Sequence, residues 1–347
     1  MTDVYSDVVQ FRGTHGEFGF FQGKKLLSSP ILSYREIQWG PRKERHFIID
    51  PEGFTQIIKS IAPGILEEIH GLAEALKIEM NDAIQLFSGY YLEYVRSGCS
   101  VYADKDYMVR NYDSHPRSYE GRYLFYQPTD AGYATIGPSM QITGRIDGMN
   151  EKGLVMAYNF THRKKSADGF LCNMIGRLIL ETCGNVEEAV DLLKEIPHRH
   201  SFSYILLDPA GEPHVVEASP RKVAVRRSSV CTNHFHLLDD ENRYRQEDSR
   251  RREEIIQREQ QYVTNPYQAF QVMNNPAYDV YSDKYDAAAG TLHTSVYFPK
   301  EMQAWYAIGP DRPPVIFDFQ KWLEGKDTPV SRVRGKIDYP EGFANMA

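Results

Sequence analysis

After residue 98 the chain stops reading as helix and starts reading as hairpins, and no other feature of the sequence limits its fold as much. Ahead of that point, Ile65, Ile69, Leu72 and Leu76 recur at the spacing of an amphipathic helix. "VYSDVVQF" predicts a short opening strand, and in "RGTHGEFGFFQGKKLL" Phe18, Phe21 and Leu26 share a helix face. Residues 1–98 therefore read as a mainly helical leader. Beyond it come the strand-like runs "CSVYA", "YMVRNY", "RYLFYQ", "GYATIG" and "GLVMAYNF", separated by turn clusters such as Ala103-Asp104-Lys105-Asp106 and Asp147-Gly148. A helix is expected over roughly 170–183, and another from Asn185, whose side chain can cap it with Glu188 as capping-box partner. Then follow the strands "FSYILLD", "PHVVEAS" and "KVAVRRSSVC", the charged helix "DSRRREEIIQREQQ" and the hairpin "TLHTSVYFPKEMQAWYAIG". Helices and strands grouped in blocks argue for an α+β fold of mainly antiparallel sheets covered by helices, rather than a wheel of βαβ units. The last twenty-odd residues, rich in Pro and charge, read as an irregular arm.

At 347 residues and 41% hydrophobic content the chain can bury a large core. Its 40 basic and 47 acidic residues are interspersed, with no basic stripe, so a nucleic-acid partner is not expected. Neither a membrane span nor a signal peptide is visible, and a cytoplasmic location is expected. Cys99, Cys172, Cys183 and Cys231 are spaced for neither a zinc ribbon nor a C-x-x-C pair and read as reduced thiols. Three of them have bland neighbours; Cys99 does not.

If "CSVYA" and "YMVRNY" pair about a turn centred on Asp104-Lys105, Cys99 lies opposite Arg110. Opposed Cβ atoms are about 4.5–5.5 Å apart, so a guanidinium would reach the sulfur and favour thiolate over thiol. Gly98, lacking a Cβ, can adopt unusual backbone angles and leaves its carbonyl open to that sulfur. Attack there, followed by hydrolysis, would free a chain beginning at Cys99, whose α-amine could serve as base. One residue would then supply nucleophile and base together.

"SGCSVYADKDYMVRNYD", "GRIDGMNEKGLVMAYNF", "CTNHF" and "QFRGTHGEFGFFQG" together resemble the N-terminal-nucleophile hydrolase superfamily. The branch most similar is the acyl-coenzyme A:6-aminopenicillanic acid acyltransferase-like family, related to choloylglycine hydrolases. The resemblance implies a four-layer αββα fold and a precursor that cleaves itself into residues 1–98 and a catalytic subunit, 99–347, with the pieces staying associated and a homo-oligomer conceivable. It also implies cysteine-dependent cleavage or transfer of an amide- or thioester-linked acyl group, with a small acylated substrate, acyl-coenzyme A as a candidate donor and no cofactor. By position, Cys99 matches the nucleophile, and Arg110 and Asp113 the residues beside it, the aspartate holding the new amine. Asn159 matches an oxyanion-hole asparagine and Asn233 the second asparagine of the site. Arg250 matches a further arginine, with Arg251 and Arg252 equally eligible. The leader favours the acyltransferase-like branch over bile-salt hydrolases, which begin almost at their cysteine. Where the penicillin acyltransferase pattern has an acidic residue before Gly-Cys, this chain has Ser97.

Two other readings stay open at this level: a single-chain hydrolase pairing Cys99 with His115 or His234, and a catalytically silent scaffold for an acylated ligand. His234, Thr294 and Ser295 are candidate substrate-binding residues. His198/His200 and His234/His236 are pairs two residues apart, but no third ligand of familiar spacing accompanies them, so no metal is expected. Arg250-Arg251-Arg252-Glu253-Glu254 reads as a solvated helix face.

Overall fold

The structure, a computed structural model, describes residues 1–39, 51–90, 98–161, 166–244 and 246–346, the side chains of 35–39 excepted. The leader comprises β1 (Thr2–Gly13) and helices α1 (His15–Leu26), α2 (Pro30–Trp39), α3 (Pro51–Ile61), α4 (Pro63–Leu76) and α5 (Met80–Phe87). Strands β2 (Ser100–Ala103), β3 (Met108–Ser114), β4 (Arg122–Pro128), β5 (Thr135–Met140), β6 (Gly144–Arg145), β7 (Asp147–Asn150) and β8 (Val155–Phe160) follow. Next come α6 (Cys172–Thr182), α7 (Val186–Glu195), β9 (Phe202–Leu207), β10 (His214–Ala218), β11 (Val223–Arg227) and β12 (Val230–Cys231). The chain ends with α8 (Glu247–Glu259), α9 (Pro266–Asn274), β13 (Asp283–Lys284), β14 (Ala289–Phe298), β15 (Gln303–Ile308), β16 (Val315–Asp318), α10 (Phe319–Leu323) and β17 (Arg332–Ile337).

Among the described residues these strands form two sheets. One, of ten strands, runs β11-β10-β9-β8-β7-β5-β4-β1-β17 with β6 on β5; the other, of seven, runs β12-β2-β3-β14-β15-β16 with β13 on β14. Alternating side chains give each sheet two apolar faces. Val101, Ala103 and Met108 of the smaller sheet meet Phe125, Ile136, Ala157 and Ile205 of the larger in a core between the sheets. On the far side of the larger sheet, Tyr158, Phe160 and Leu206 pack against Ile65, Ile69 and Leu72 of α4 and Ile175, Leu178 and Ile179 of α6. On the far side of the smaller one, Tyr102, Val109 and Val296 pack against Ile255 and Ile256 of α8 and Phe270 and Met273 of α9. The layers are thus helix, sheet, sheet, helix, the expected four-layer αββα sandwich.

Local chemistry accounts for most of the expected elements. Thr14 and Glu17 cap α1 reciprocally, Glu17 N–H donating to Thr14 Oγ1 and Thr14 N–H to Glu17 Oε2. Asn185 caps α7 through Glu188 N–H at 3.0 Å, and the Glu188 carboxylate accepts from Asn185 Nδ2 and Gly184 N–H rather than from the backbone N–H of the cap residue. Helices α1 and α4 approach so closely that a Cβ on Gly19 would lie 1.9 Å from the Glu68 carbonyl oxygen. Only glycine fits there.

Three expectations need correction. The run "KVAVRRSSVC" is not one strand: β11 edges the larger sheet, and after Ser228-Ser229 the chain crosses to pair β12 with β2 in the smaller one. The presumed irregular arm contains β17, antiparallel to β1 from Thr2↔Ile337 to Asp7↔Arg332. Its residues alternate, with Val333, Gly335 and Ile337 buried between exposed Arg332, Arg334 and Lys336. Finally, β1 is no short outlying strand. It spans 12 residues and lies inside the larger sheet between β17 and β4, parallel to the latter.

Candidate active site

The hairpin that presents Cys99 differs from expectation in register but not in face. Ala103 pairs with Met108 and Val101 with Arg110, so the turn is centred on Lys105-Asp106. A shift of two residues keeps every side chain on its side of the sheet. Cys99, Val101 and Arg110 therefore still share the face between the sheets, and Arg110 Nη2 lies 3.5 Å from Cys99 Sγ along the diagonal. Cys99 is completely buried.

Arg110 is fixed from the opposite sheet. Its Nη1 donates to Asp147 Oδ1 at 2.8 Å and its Nη2 to the Tyr158 carbonyl at 2.5 Å. Asp147, on β7, also accepts from Ser295 Oγ (2.6 Å), Tyr297 OH (2.9 Å) and His293 Nε2 (3.2 Å) on β14. Burial would raise its carboxyl, but His293, Arg110 and the Ser295 hydroxyl outweigh burial and hold it well below the usual range. The imidazole of His293 is driven down by burial, against the pull of Asp147.

The backbone of Cys99 is clamped. Its N–H donates to Asn233 Oδ1 at 2.8 Å, and its carbonyl accepts from Arg252 Nη1 at 2.8 Å. Arg252 also donates to Ser100 Oγ (2.6 Å), Asn233 Oδ1 (2.8 Å) and Asp248 Oδ2 (2.9 Å). Asn233 is held in turn by Nδ2 donating to the Phe160 carbonyl at 2.8 Å and by its backbone N–H donating to Ser249 Oγ at 2.7 Å. With Oδ1 accepting twice, the orientation of this amide is determined by its partners. Gly98 takes no left-handed φ, and a Cβ there would meet Arg252 Nη2 at 3.7 Å and Asn233 Oδ1 at 3.8 Å, ordinary contacts. The special backbone angles expected of Gly98 are absent; what it leaves open is space beside the clamp. Ser97 lies outside the described residues.

Asp113 sits where β14 is irregular: Thr291 pairs with Asp113 but His293 with Tyr112, leaving Leu292 as an extra residue. Its carboxylate accepts from Thr291 Oγ1 at 2.7 Å, and its carbonyl oxygen lies 3.9 Å from Cys99 Sγ. Burial pushes the carboxyl up to about 7, against the opposing charges of Arg252 and Arg110 and the Thr291 hydrogen bond. Asn159 is buried, with Nδ2 donating to the Cys231 carbonyl at 2.9 Å and Oδ1 unpartnered.

Other candidates fall elsewhere. Arg250 is exposed and bonds to Gln246, so Arg252, not Arg250, is the arginine against Cys99. Arg251 reaches Asp248 and Asp279. Thr294 Oγ1 donates to Asn111 Oδ1 at 2.8 Å and accepts from Asn274 of α9, so it faces the helix layer rather than Cys99. Ser295 stands opposite Arg110 in the β3–β14 pairing and donates its hydroxyl to Asp147 rather than meeting Cys99. His234 lies against Ser249 and Glu253, and His115 against Tyr339 and the Arg117 N–H, so neither stands as the base of a Cys-His pair. Burial drives the other thiols up, Cys183 to about 11, Cys231 to about 12 and Cys172 well above its ordinary value. The sequence reading of Asp147-Gly148 as a turn is overturned: both lie in β7, paired with Ala157 and Met156 of β8, and Asp147 is the carboxylate that fixes Arg110.

Fold and setting together define the class: a four-layer αββα sandwich of the N-terminal-nucleophile hydrolase kind, with a buried cysteine at the head of an inner strand. The profile of the family described as "Acyl-coenzyme A:6-aminopenicillanic acid acyl-transferase" matches residues 101–313, more than half of the sequence, and the chain belongs to that family. Among solved structures it is similar to penicillin V acylase from Agrobacterium tumefaciens, at 16% identity and a TM-score of 0.46 over 65% of this chain and 86% of that one. It is also similar to a mutant of conjugated bile acid hydrolase from Clostridium perfringens (17%, TM-score 0.43, 65% and 93%). A third likeness is to an N-acylethanolamine-hydrolyzing acid amidase ortholog from Caenorhabditis elegans (10%, TM-score 0.37, 58% and 92%). No curated protein matches the chain. Among the described residues no helix is long and apolar enough to cross a membrane.

Proposed function

We propose that the protein is a self-processing cysteine amidohydrolase or acyltransferase whose nucleophile is Cys99. The observation that carries this reading is the threefold hold on that residue: Arg110 at the sulfur, Asn233 on the N–H and Arg252 on the carbonyl. A guanidinium beside the sulfur stabilises the thiolate. In processing, Sγ attacks the Gly98 carbonyl, the Cys99 nitrogen leaves carrying the proton, and water hydrolyses the resulting thioester. The freed amine stays within reach of Asn233 Oδ1 and of Asp113, and then takes and returns the substrate's proton. Complete burial of Cys99 in the uncut chain fits an order in which scission precedes turnover, because the new end at Gly98 must move before a substrate reaches the sulfur.

Asn159 is the proposed oxyanion donor. A preorganised neutral donor of this kind typically contributes about 2.7–4 kcal/mol to the transition state. The substrate is a small molecule with an amide- or thioester-linked acyl group, and either water or an amine accepts the acyl from the enzyme. Residues 1–98 remain bound as a small subunit, because β1 lies within the larger sheet and Glu68 of α4 pairs with buried Arg177 of α6. Intact mass and N-terminal sequencing test the reading. Scission divides the 40.0 kDa chain by residue number into pieces of about 11 and 29 kDa, the larger beginning Cys-Ser-Val-Tyr, and Cys99→Ala abolishes both scission and acyl transfer. An active wild-type preparation that stays whole, or an active Cys99→Ala variant, would falsify it; a silent scaffold stays whole and transfers nothing.

A further inference from the structure

Directly after Asn233 the chain carries His234 and His236, and directly after Arg252 helix α8 carries Glu253. The three side chains converge. His234 Nε2 lies 3.1 Å from Glu253 Oε2 and His236 Nε2 lies 3.0 Å from Oε1, with one candidate ligand atom of each residue within 4.8 Å of the others. The two rings are 4.8 Å apart, centroid to centroid.

The hydrogen bonding around His234 points to a cation. Ser249 Oγ accepts the Asn233 N–H at 2.7 Å and donates to Thr232 Oγ1 at 2.9 Å, which commits its only proton. His234 Nδ1 lies 2.8 Å from Ser249 Oγ and 3.3 Å from Thr232 Oγ1, and with the Ser249 proton committed to Thr232 it can donate to Ser249 Oγ. In that tautomer Nε2 carries a lone pair. Nε2 is buried and makes no hydrogen bond, although a Glu253 oxygen lies 3.1 Å away, off the direction in which an N–H would point. A lone pair set beside a carboxylate oxygen without a proton aimed between them is the arrangement of two ligands sharing one ion, and a Ser249-held Nδ1–H is the outer-shell partner that such a ligand uses.

The loop bearing the pair is also set in advance. The fully buried Glu217 carboxylate accepts the backbone N–H groups of His236 (2.8 Å), Leu237 (2.8 Å) and Leu238 (2.9 Å), and pairs with Arg226 Nε at 2.9 Å.

We infer that His234 Nε2, His236 Nε2 and the Glu253 carboxylate form a site for one divalent first-row transition ion of the zinc type. Two imidazoles and a carboxylate suit such an ion, and three protein donors leave a fourth position to water. Bonds of about 2.0–2.1 Å put neighbouring ligand atoms of a tetrahedral ion about 3.3 Å apart, close to the two histidine–glutamate separations. His236, with 39% of its side chain exposed, gives access from solvent. The sequence alone hides the site because its third ligand comes from a helix 17 positions beyond His236. Its ligands adjoin Asn233 and Arg252, so an ion here ties together the two segments that clamp the backbone of Cys99.

The test is independent of scission and of acyl transfer. Cys99→Ala removes the thiol most apt to capture zinc; in that background the chain is titrated with Zn²⁺ alone by calorimetry and with Co²⁺ alone by visible absorption. One equivalent binds per chain, the cobalt spectrum lacks thiolate charge transfer, and the melting temperature rises with zinc. His236→Gln, at the exposed ligand, and Glu253→Gln each weaken binding at least about tenfold and remove the thermal shift. Absence of stoichiometric binding at micromolar ion, or equal binding by a folded His236→Gln chain, overturns the inference.

Discussion

Replacing Arg252 by lysine keeps the charge and removes the fork, and so isolates what the guanidinium geometry does for Cys99. Four acceptors share this side chain: Asp248 on one side and the Cys99 carbonyl, Ser100 Oγ and Asn233 Oδ1 on the other, at 2.6–2.9 Å. A lysine carries its three donors on one atom and cannot span both groups. At least one of the four bonds goes. Hydrogen bonds to a charged group contribute about 1.5–3 kcal/mol each, so the loss is about 1.5 kcal/mol even at the lower end. If the clamp aligns the Gly98–Cys99 bond with Sγ, that loss falls on scission, at tenfold per 1.36 kcal/mol, and slows it by at least about tenfold. The assay is a time course of intact mass on freshly purified chain, with urea midpoints in parallel to separate lost alignment from lost folding. Arg250→Lys, on the exposed side of the same helix, is the control and is expected to behave as wild type. Scission by Arg252→Lys within about threefold of wild type, or an equal defect in Arg250→Lys, would refute the assignment of Arg252.

Two further outcomes follow from the buried charges. Asp147→Asn leaves Arg110 without its only carboxylate contact among the described residues, and breaking one side of such a buried pair costs about 3–5 kcal/mol; a shift in the denaturation free energy below about 1 kcal/mol would contradict the geometry. Asp113 titrates at about 7 in the uncut chain because burial raises it. A folded-state value above the unfolded one favours the protonated form, so its contribution to stability is complete below the ordinary carboxylate value of 3.8 and is lost as pH rises to about 7. In the uncut Cys99→Ala chain, Asp113→Asn should therefore flatten the fall in stability between about pH 4 and about pH 7. An unchanged pH profile in that variant would count against the raised carboxyl.

How much of this was legible in advance varies with the range of the interaction. Periodicity and turn chemistry are local, and they located α4, α7 and the β2–β3 and β14–β15 hairpins. Register is set by a loop whose ends close on each other, and Asp104 N–H bonding to the Tyr107 carbonyl at 2.8 Å moved the turn by one residue. The face survived because a shift of two preserves side-chain parity, which is why the Cys99–Arg110 contact was found on the wrong pairing. β17 carried a visible alternation of buried and charged residues, yet its partner β1 lies more than 300 positions away and its Pro-rich surroundings hid the pattern. For the three consecutive arginines the sequence offered no way to choose. Helix phase chose: Arg252 faces inward with Ile255 and Ile256, and Arg250 faces solvent.

Between the sheets, charge is placed where apolar packing would otherwise serve. A buried ion pair such as Arg110–Asp147 adds little net stability over a hydrophobic pair of the same volume, because desolvation offsets the attraction. What it supplies is position: Arg110 is on β3, Asp147 on β7, and the pair holds only if the two sheets lie at one particular offset. The offset is transmitted further. From Asp147 the hydrogen bonds run to His293, from His293 Nδ1 to Tyr119 OH at 2.8 Å, from there to Tyr306 OH at 2.5 Å, and on to Ser6 Oγ at 2.9 Å. Ser6 belongs to β1, the leader strand. The leader therefore takes part in fixing the guanidinium at the sulfur, and losing it would remove the strand that joins β17 to β4 in the larger sheet and leave this chain of buried hydroxyls unsatisfied at its far end. If the chain is cut at Gly98 as proposed, residues 1–98 are therefore expected to stay with the rest, and separating the two pieces is expected to abolish acyl transfer.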